Sequence, residues 1–328
     1  MLPEIKYQSC LTSRGAVGTE QKLCRGDFSQ FFRKPNIRLD YWQGMNGSIR
    51  EIINEAAAAL GAGQIDQPRS EAVSLLMHTL NVDRAFVIAH PERELLNDEL
   101  ERFREFVSRR AGREPLQYIT GVQEFFNLRF EVTPDVLIPR PETEMIVEAA
   151  LDLLRVDSAP VVAEVGTGSG CIAISLLHEK PGARAVAIDI SAKALAVARR
   201  NTERHELVDR LTLVNGDGLT CFLAEPQFSA VLSNPPYIPA HEIESLQPEV
   251  RDYEPLSALI AGDDGLSHIR ALLRDAPDIL QPRGYLIFEI GFGQVDAVRS
   301  LIDASVWDLI EIKNDLQNIP RVFVLRRK

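Results

Sequence analysis

From Pro141 onward the chain alternates short apolar runs with helical segments, and this rhythm constrains the fold more than any other feature of the 328 residues. The apolar runs are residues 161–165, 183–190, 210–214, 230–233 and 285–290, with helical patterns such as 172–178 and 192–205 falling between most of them. Strands separated by helix-length connections pair in parallel, because only a crossover of that length can return the chain to the same end of the sheet. The pattern therefore predicts an α/β domain with a doubly wound, mostly parallel sheet. The last two apolar runs, 307–313 and 321–325, are separated by only about seven residues, too few for a crossover, so they are expected to form an antiparallel hairpin.

Upstream of this domain the periodicity is helical. Ser48 and Glu51 have the spacing of a capping box, and Ile49, Ile52, Ile53, Ala56 and Leu60 follow at helical intervals to a stop at Gly61. A second helix is predicted after Pro68 and Ser70 with Leu75, Leu76 and Leu80 inward. A third is predicted over 97–111 with Leu100, Phe103, Phe106 and Val107 on one face. Residues 48–114 thus form a small helical domain, 115–140 a linker built on a β-hairpin, and 141–328 the α/β domain. Residues 1–47 lack sustained periodicity and are expected to be a poorly ordered extension lying ahead of a natural start at Met45.

Charge and cysteine usage narrow the function. The net charge is −11, and beyond residue 47 there are 29 Lys and Arg against 43 Asp and Glu. So acidic a body is a poor match for phosphate-neutralising nucleic-acid binding, and no nucleic-acid partner is expected. No apolar run is long enough to cross a bilayer, so no membrane association is expected. Cys10, Cys24, Cys171 and Cys221 form no close pair and the six histidines are scattered, so neither a metal site nor a disulfide framework is predicted and a reducing cytoplasm is the expected location.

Two motifs carry the chemistry. The first predicted strand of the α/β domain ends in Glu164-Val165-Gly166-Thr167-Gly168-Ser169-Gly170. Glycines let the backbone turn sharply beside a ligand, and the helix that follows offers unpaired N–H groups to an anion. A dinucleotide fingerprint would need a glycine where Cys171 stands, so G-x-G-x-G behind an acidic residue is read instead as an S-adenosylmethionine loop. Asp189, 19 residues after Gly170 at the next strand end, is placed to accept from both ribose hydroxyls. Asp217, at the third strand end and followed by Gly218, is placed to accept from the adenine amino group. The fourth strand ends in Ser233-Asn234-Pro235-Pro236-Tyr237, where two prolines force the chain out of the sheet. The Asn234 side-chain oxygen and the Pro235 carbonyl can accept both protons of a planar amino or amide nitrogen and stabilise the charge that develops on it, while Tyr237 packs against the acceptor.

A mostly parallel sheet closed by an antiparallel terminal hairpin resembles the class I S-adenosylmethionine-dependent methyltransferase fold, which is Rossmann-like. N-P-P-Y occurs in amino methyltransferases acting on adenine and in those acting on protein glutamine. Here it stands with I-P-R-P-E-T-E at 138–144, E-V-R-D-Y-E-P-L-S-A-L at 249–259, P-L-Q-Y-I-T-G at 115–121 and E-F-F at 124–126. Together these resemble the HemK/PrmC family over about residues 48–328. The resemblance implies transfer of a methyl group from S-adenosyl-L-methionine to the N5 amide nitrogen of the glutamine in the Gly-Gly-Gln loop of class I peptide chain release factors. It implies a helical N-terminal domain that helps dock the release factor.

Carried over by position, Gly166, Thr167, Gly168, Ser169, Gly170, Asp189, Gly218 and Asn234 contact the cofactor, joined by Glu164 and Asp217. Asn234, Pro235, Pro236 and Tyr237 contact the substrate glutamine, and Arg140–Glu144 and Phe125–Phe126, with Arg140, Glu142 and Phe125 foremost, shape the pocket wall. Relatives often carry a bulky aromatic at position 218, so Gly218 leaves only a backbone contact with adenine. The alternatives are a ribosomal-protein glutamine methyltransferase, whose family shares N-P-P-Y but typically lacks R-P-E-T-E, and an adenine-N6 methyltransferase of nucleic acid. The enzyme is expected to be a cytoplasmic monomer.

Overall fold

The structure is a computed structural model that describes residues 47–328, so the predicted N-terminal extension lies, but for Gly47, outside the described residues. The chain divides into two compact units between Thr120 and Gly121.

The first unit contains helices α1 (Ile49–Ala62), α2 (Pro68–Leu80), α3 (Arg84–Ala89), α4 (Asn97–Ala111) and α5 (Leu116–Thr120). Glu51 reaches back to accept the Ser48 N–H at 2.9 Å, which satisfies a donor that the start of α1 would otherwise leave open. The apolar face of α1 closes on Leu75 and Leu76 of α2 and on Leu100, Phe103 and Val107 of α4, all buried. Arg110 of α4 ion-pairs with Glu71 of α2 at the edge of this core. Two elements were invisible to periodicity: α3 and α5 have six and five residues, too short to repeat a pattern. Helix α5 occupies the start of the segment predicted as linker, and its Ile119 joins the helical core.

The second unit opens with the hairpin of β1 (Val122–Phe125) and β2 (Leu128–Glu131), paired antiparallel. Helix α6 (Glu144–Leu153) leads into β3 (Val161–Val165), α7 (Cys171–Glu179), β4 (Arg184–Asp189), α8 (Ala192–Arg204), β5 (Leu211–Asn215) and β6 (Phe228–Ser233). There follow α9 (Pro248–Tyr253), α10 (Ser267–Ile279), β7 (Leu280–Glu289), α11 (Val295–Leu301), β8 (Trp307–Asn314) and β9 (Pro320–Arg327). The strand order is β5-β4-β3-β6-β7-β9-β8, parallel from β5 to β7, with β9 antiparallel to both β7 and β8.

The predicted hairpin is present, but the chain folds its final strand into the sheet's interior and leaves β8 at the edge. Composition explains the arrangement: Val322, Phe323, Val324 and Leu325 of β9 are all buried, whereas Leu309 and Ile310 of β8 are exposed. Buried side chains cover both faces of the sheet. One layer includes Ile146, Ile174 and Ile287, the other Ile269, Leu272 and Phe288. Phe288 stacks on Phe323 across the β7–β9 pair with ring centroids 5.6 Å apart. Truncating it opens a cavity in a fully buried site, so Phe288→Ala is expected to cost about 3–5 kcal/mol in denaturant unfolding, while truncation of exposed Leu316 is expected to leave stability unchanged within error.

Candidate active site

Strands β3, β4 and β5 step outward in one direction, and the chain then returns to lay β6 against the other side of β3. That reversal opens a crevice beyond the C-terminal ends of β3 and β6, where open α/β sheets bind ligands. The two predicted motifs leave the sheet at this crevice. Val165 pairs with Ser233, so the glycine loop and the N-P-P-Y segment begin as neighbours. The Ser233 hydroxyl donates to the Val165 carbonyl at 2.9 Å and ties the two exits together.

The loop turns through Gly166, Gly168 and Gly170 at φ of 72°, 54° and 84°, a region that side-chain-bearing residues rarely adopt. A Cβ on Gly170 would also lie 2.9 Å from the Ile174 side chain. Asp189 braces the loop: one carboxylate oxygen accepts from the Gly168 N–H at 2.9 Å and the other from the Ser191 N–H at 2.9 Å. Each oxygen keeps a further lone pair for a ligand. Burial pushes the Asp189 carboxyl above its ordinary range, against the pull of these two N–H groups.

Glu164 lies fully buried beneath the loop. Its Oε2 accepts from the Thr167 hydroxyl at 2.7 Å and from the Ala173 N–H at 3.2 Å, while its Oε1 is buried without a hydrogen-bond partner. Burial raises its pKa to about 8, with the nearby Asp189 charge adding to the effect. A buried carboxylate oxygen left unpaired costs stability unless a ligand completes it.

Beyond β6, Pro235 is buried and the chain is held by Ile238, which donates to Leu259 at 2.9 Å and accepts from Ala261 at 2.9 Å. The sequence segment 249–259 thus forms α9 and the strap that fixes the N-P-P-Y exit. Arg140 reaches Glu254 of this strap at 2.5 Å, and Glu254 is itself almost fully buried. Tyr237 accepts at its carbonyl from Gln294 Nε2 at 2.9 Å. Gly265 lies so close that a Cβ there would fall 2.4 Å from the same carbonyl.

Three cavities meet at this point. The first is lined by the glycine loop, Glu164, Asp189, Arg140 and Asn234. The second runs along Asp189, Ile190, Asp217, Gly218, Pro235 and Pro236. The third, of about 570 Å³, is lined by Arg140, Asn234, Pro235, Tyr237, Phe292 and Arg321, among others. Asn234 borders the first and third, and Pro235 the second and third. The structure therefore gathers Glu164, Gly166–Ser169, Asp189, Asp217, Gly218, Asn234–Tyr237 and Arg140 around one crevice.

Two of the three foremost predicted wall residues fall elsewhere. Phe125 is buried in the core, edge-on to Phe130, and lines none of the three cavities, because β1 turns its side chain inward against the sheet unit. Glu142 also lines none of them; its charge raises the pKa of Glu289 from nearby. Sequence reading missed Glu289, Gln294 and Gly265, and gave Thr143 only as part of the 140–144 wall. Glu289 accepts from the Thr143 hydroxyl at 2.6 Å and faces the Tyr237 hydroxyl at 3.4 Å. Burial first, then Glu142, lifts its pKa to about 7. An acidic residue ending an apolar strand was the one available signal for Glu289.

The sheet topology and the glycine loop define a class I methyltransferase fold. Residues 51–121 match the family model for the PrmC N-terminal domain, and residues 145–248 that for the methyltransferase small domain. A release factor glutamine methyltransferase of Nitratidesulfovibrio vulgaris is 40% identical over 284 residues, spanning 86% of this chain and 96% of that protein. Its counterpart in Geobacter sulfurreducens is 44% identical over 258 residues, spanning 79% and 89%. A solved structure, the release factor-specific protein-(glutamine-N5) methyltransferase of Alicyclobacillus acidocaldarius, is 32% identical, covering 61% of this chain and 99% of that one at a TM-score of 0.37. The chain belongs to the release factor glutamine methyltransferase family, as the two relatives establish over nearly their whole length.

The raised pKa of Glu164 makes a stability prediction. Between about pH 4.5 and 8 the unfolded chain releases this proton while the folded chain retains it, so the group opposes folding increasingly through that window and fully above it. Glu164→Gln removes the charge and keeps the shape. Its advantage over the unmodified chain in urea unfolding is expected to be absent near pH 4 and to grow to on the order of 3 kcal/mol by pH 8.5, with weaker donor binding as the accompanying loss.

Proposed function

We propose that this chain transfers a methyl group from S-adenosyl-L-methionine to the N5 amide nitrogen of the glutamine in the Gly-Gly-Gln loop of class I peptide chain release factors, in the cytoplasm and as a monomer. The observation that carries the reading is the position of Asn234 and Pro235 between the glycine-loop cavities and the third cavity. A donor on one side and an acceptor on the other would meet at these two residues. The third cavity's volume of about 570 Å³ is ample for a glutamine side chain with flanking backbone, within the roughly 300–1,000 Å³ usual for ligand sites.

The residues fit the donor. Glu164 Oε1, buried and unpaired, suits an ammonium group. The glycine loop and the start of α7 suit a carboxylate. Asp189 suits the ribose hydroxyls, and Asp217 with the Gly218 backbone suits the adenine edge. Gly218 has φ of 58° and open space around the position a Cβ would occupy, so no side chain presses on the base there. When bound, the donor supplies an electrophilic sulfonium methyl.

The acceptor sets a different requirement. An amide nitrogen shares its lone pair with the carbonyl and is a poor nucleophile, and no base in the crevice is strong enough to deprotonate it first. Asn234 Oδ1 and the Pro235 carbonyl can instead accept its two N–H protons. This turns the nitrogen's lone pair toward the donor cavity and stabilises positive charge as it develops on nitrogen. Proton loss becomes easy only once the new N–C bond exists. Alignment of this kind is worth roughly 7–11 kcal/mol in favourable cases, so positioning alone accounts for much of the acceleration. Tyr237 walls the acceptor side, its hydroxyl anchored at Glu289.

The test is mass spectrometry of a purified class I release factor after incubation with this protein and S-adenosyl-L-methionine. A single added methyl on the loop glutamine is expected, and Asn234→Ala is expected to lower kcat on the order of 10²- to 10³-fold. Methylation of DNA in place of the release factor would overturn the assignment.

A further inference from the structure

An asparagine carboxamide has two ends of nearly identical shape and opposite chemistry, an accepting oxygen and a donating NH2. If Asn234 is to accept a hydrogen bond from the substrate amide, something must decide which end faces the acceptor. The answer lies behind it. Asn234 Nδ2 donates to Thr143 Oγ1 at 2.9 Å, and Thr143 Oγ1 lies 2.6 Å from Glu289 Oε2. Thr143 and Glu289 are each 2% exposed, so the contact between them is shielded, while Asn234 in front of them is half-buried.

A hydroxyl has one proton, and a carboxylate in its ionised form, which Glu289 takes above its pKa of about 7, can only accept. In that form Thr143 donates its O–H hydrogen bond to Glu289 and presents only lone pairs to Asn234. Rotating the Asn234 amide by half a turn would set Oδ1 against those lone pairs and leave two acceptors facing each other, one of them buried, which is costly. The backbone holds Thr143 firmly. Pro141 starts the 3-10 turn Pro141–Thr143, the Thr143 N–H donates to the Arg140 carbonyl at 3.1 Å, and Arg140 is fastened to Glu254.

We propose that Thr143 and Glu289 are positioning residues that lock the Asn234 carboxamide with its oxygen toward the acceptor cavity. The claim rests on the proposed function for what occupies that cavity, but the orientation itself does not. It also gives the 138–144 segment a task that lining the pocket would not explain: its buried threonine sets the polarity of the residue that binds substrate.

Thr143→Val keeps the shape and removes the hydroxyl; Thr143→Ser keeps the hydroxyl. The valine variant is expected to lose kcat on the order of 10²-fold with donor affinity unchanged, and the serine variant to recover most of it. Added to Asn234→Ala, Thr143→Val is expected to cost nothing more, since it acts only through that side chain. Undiminished turnover in Thr143→Val, or an equal further loss on top of Asn234→Ala, overturns the proposal.

A readout independent of turnover is the side-chain NH2 signal of Asn234 in nitrogen-15 spectra, identified by its disappearance in Asn234→Ala. Slow hydrogen exchange is expected in the unmodified chain and in Thr143→Ser, and fast exchange in Thr143→Val; equal exchange in all three overturns the orientation claim. If the unmodified chain transfers no methyl to glutamine, the functional reading fails, while these exchange rates still decide the positioning.

Discussion

The parallel pairing of β3 with β6 is the contact on which the crevice depends. Because Val165 stands opposite Ser233, the glycine loop and the N-P-P-Y exit begin at the same height on adjacent strands. Every later feature refines a proximity that the ladder has already set. Reversal of the winding direction opens the space, the glycines let the backbone line it without obstruction, and the prolines turn the chain away before it can fill it.

Much of this was legible in the sequence, for identifiable reasons. Strands β3, β4 and β6 are mostly buried and read as apolar runs, and the glycine and proline motifs mark where the chain must leave β3 and β6. Helices α1 and α4 are long enough for their apolar residues to recur several times. What escaped detection had no periodic or local signal. Helices α3 and α5 are single turns or little more. The insertion of β9 between β7 and β8 depends on which strand is more apolar across both faces, a comparison between segments rather than within one.

Site residues divide the same way. Gly166–Ser169, Asp189 and Asn234 belong to local motifs and all reach the crevice, while Gly170 of the same loop lines none of the three cavities and packs against Ile174. Phe125 was placed at the pocket because its neighbours in sequence belong to a family pattern, yet a four-residue strand with alternating faces sends it into the core. Glu289 was missed for the opposite reason. It lies 55 residues after Asn234 in the chain, at the end of an apolar strand, and only the pairing of β6 with β7 brings it beside the N-P-P-Y segment. The two buried carboxylates, Glu164 and Glu289, share a logic: each is energetically awkward in isolation and each stands directly behind residues that line the crevice. Such groups persist where orientation at a site outweighs the desolvation they incur.

The interior position of β9 has a consequence for how the sheet is made. Strand β7 presents an unpaired, strongly apolar margin until residues 320–327 arrive, and β8 has no neighbour in the sheet without them. During synthesis the parallel half can assemble early, but its flank stays sticky until the last described strand slots in. A chain that lacks residues 320–327 is therefore expected to keep an open edge, prone to self-association.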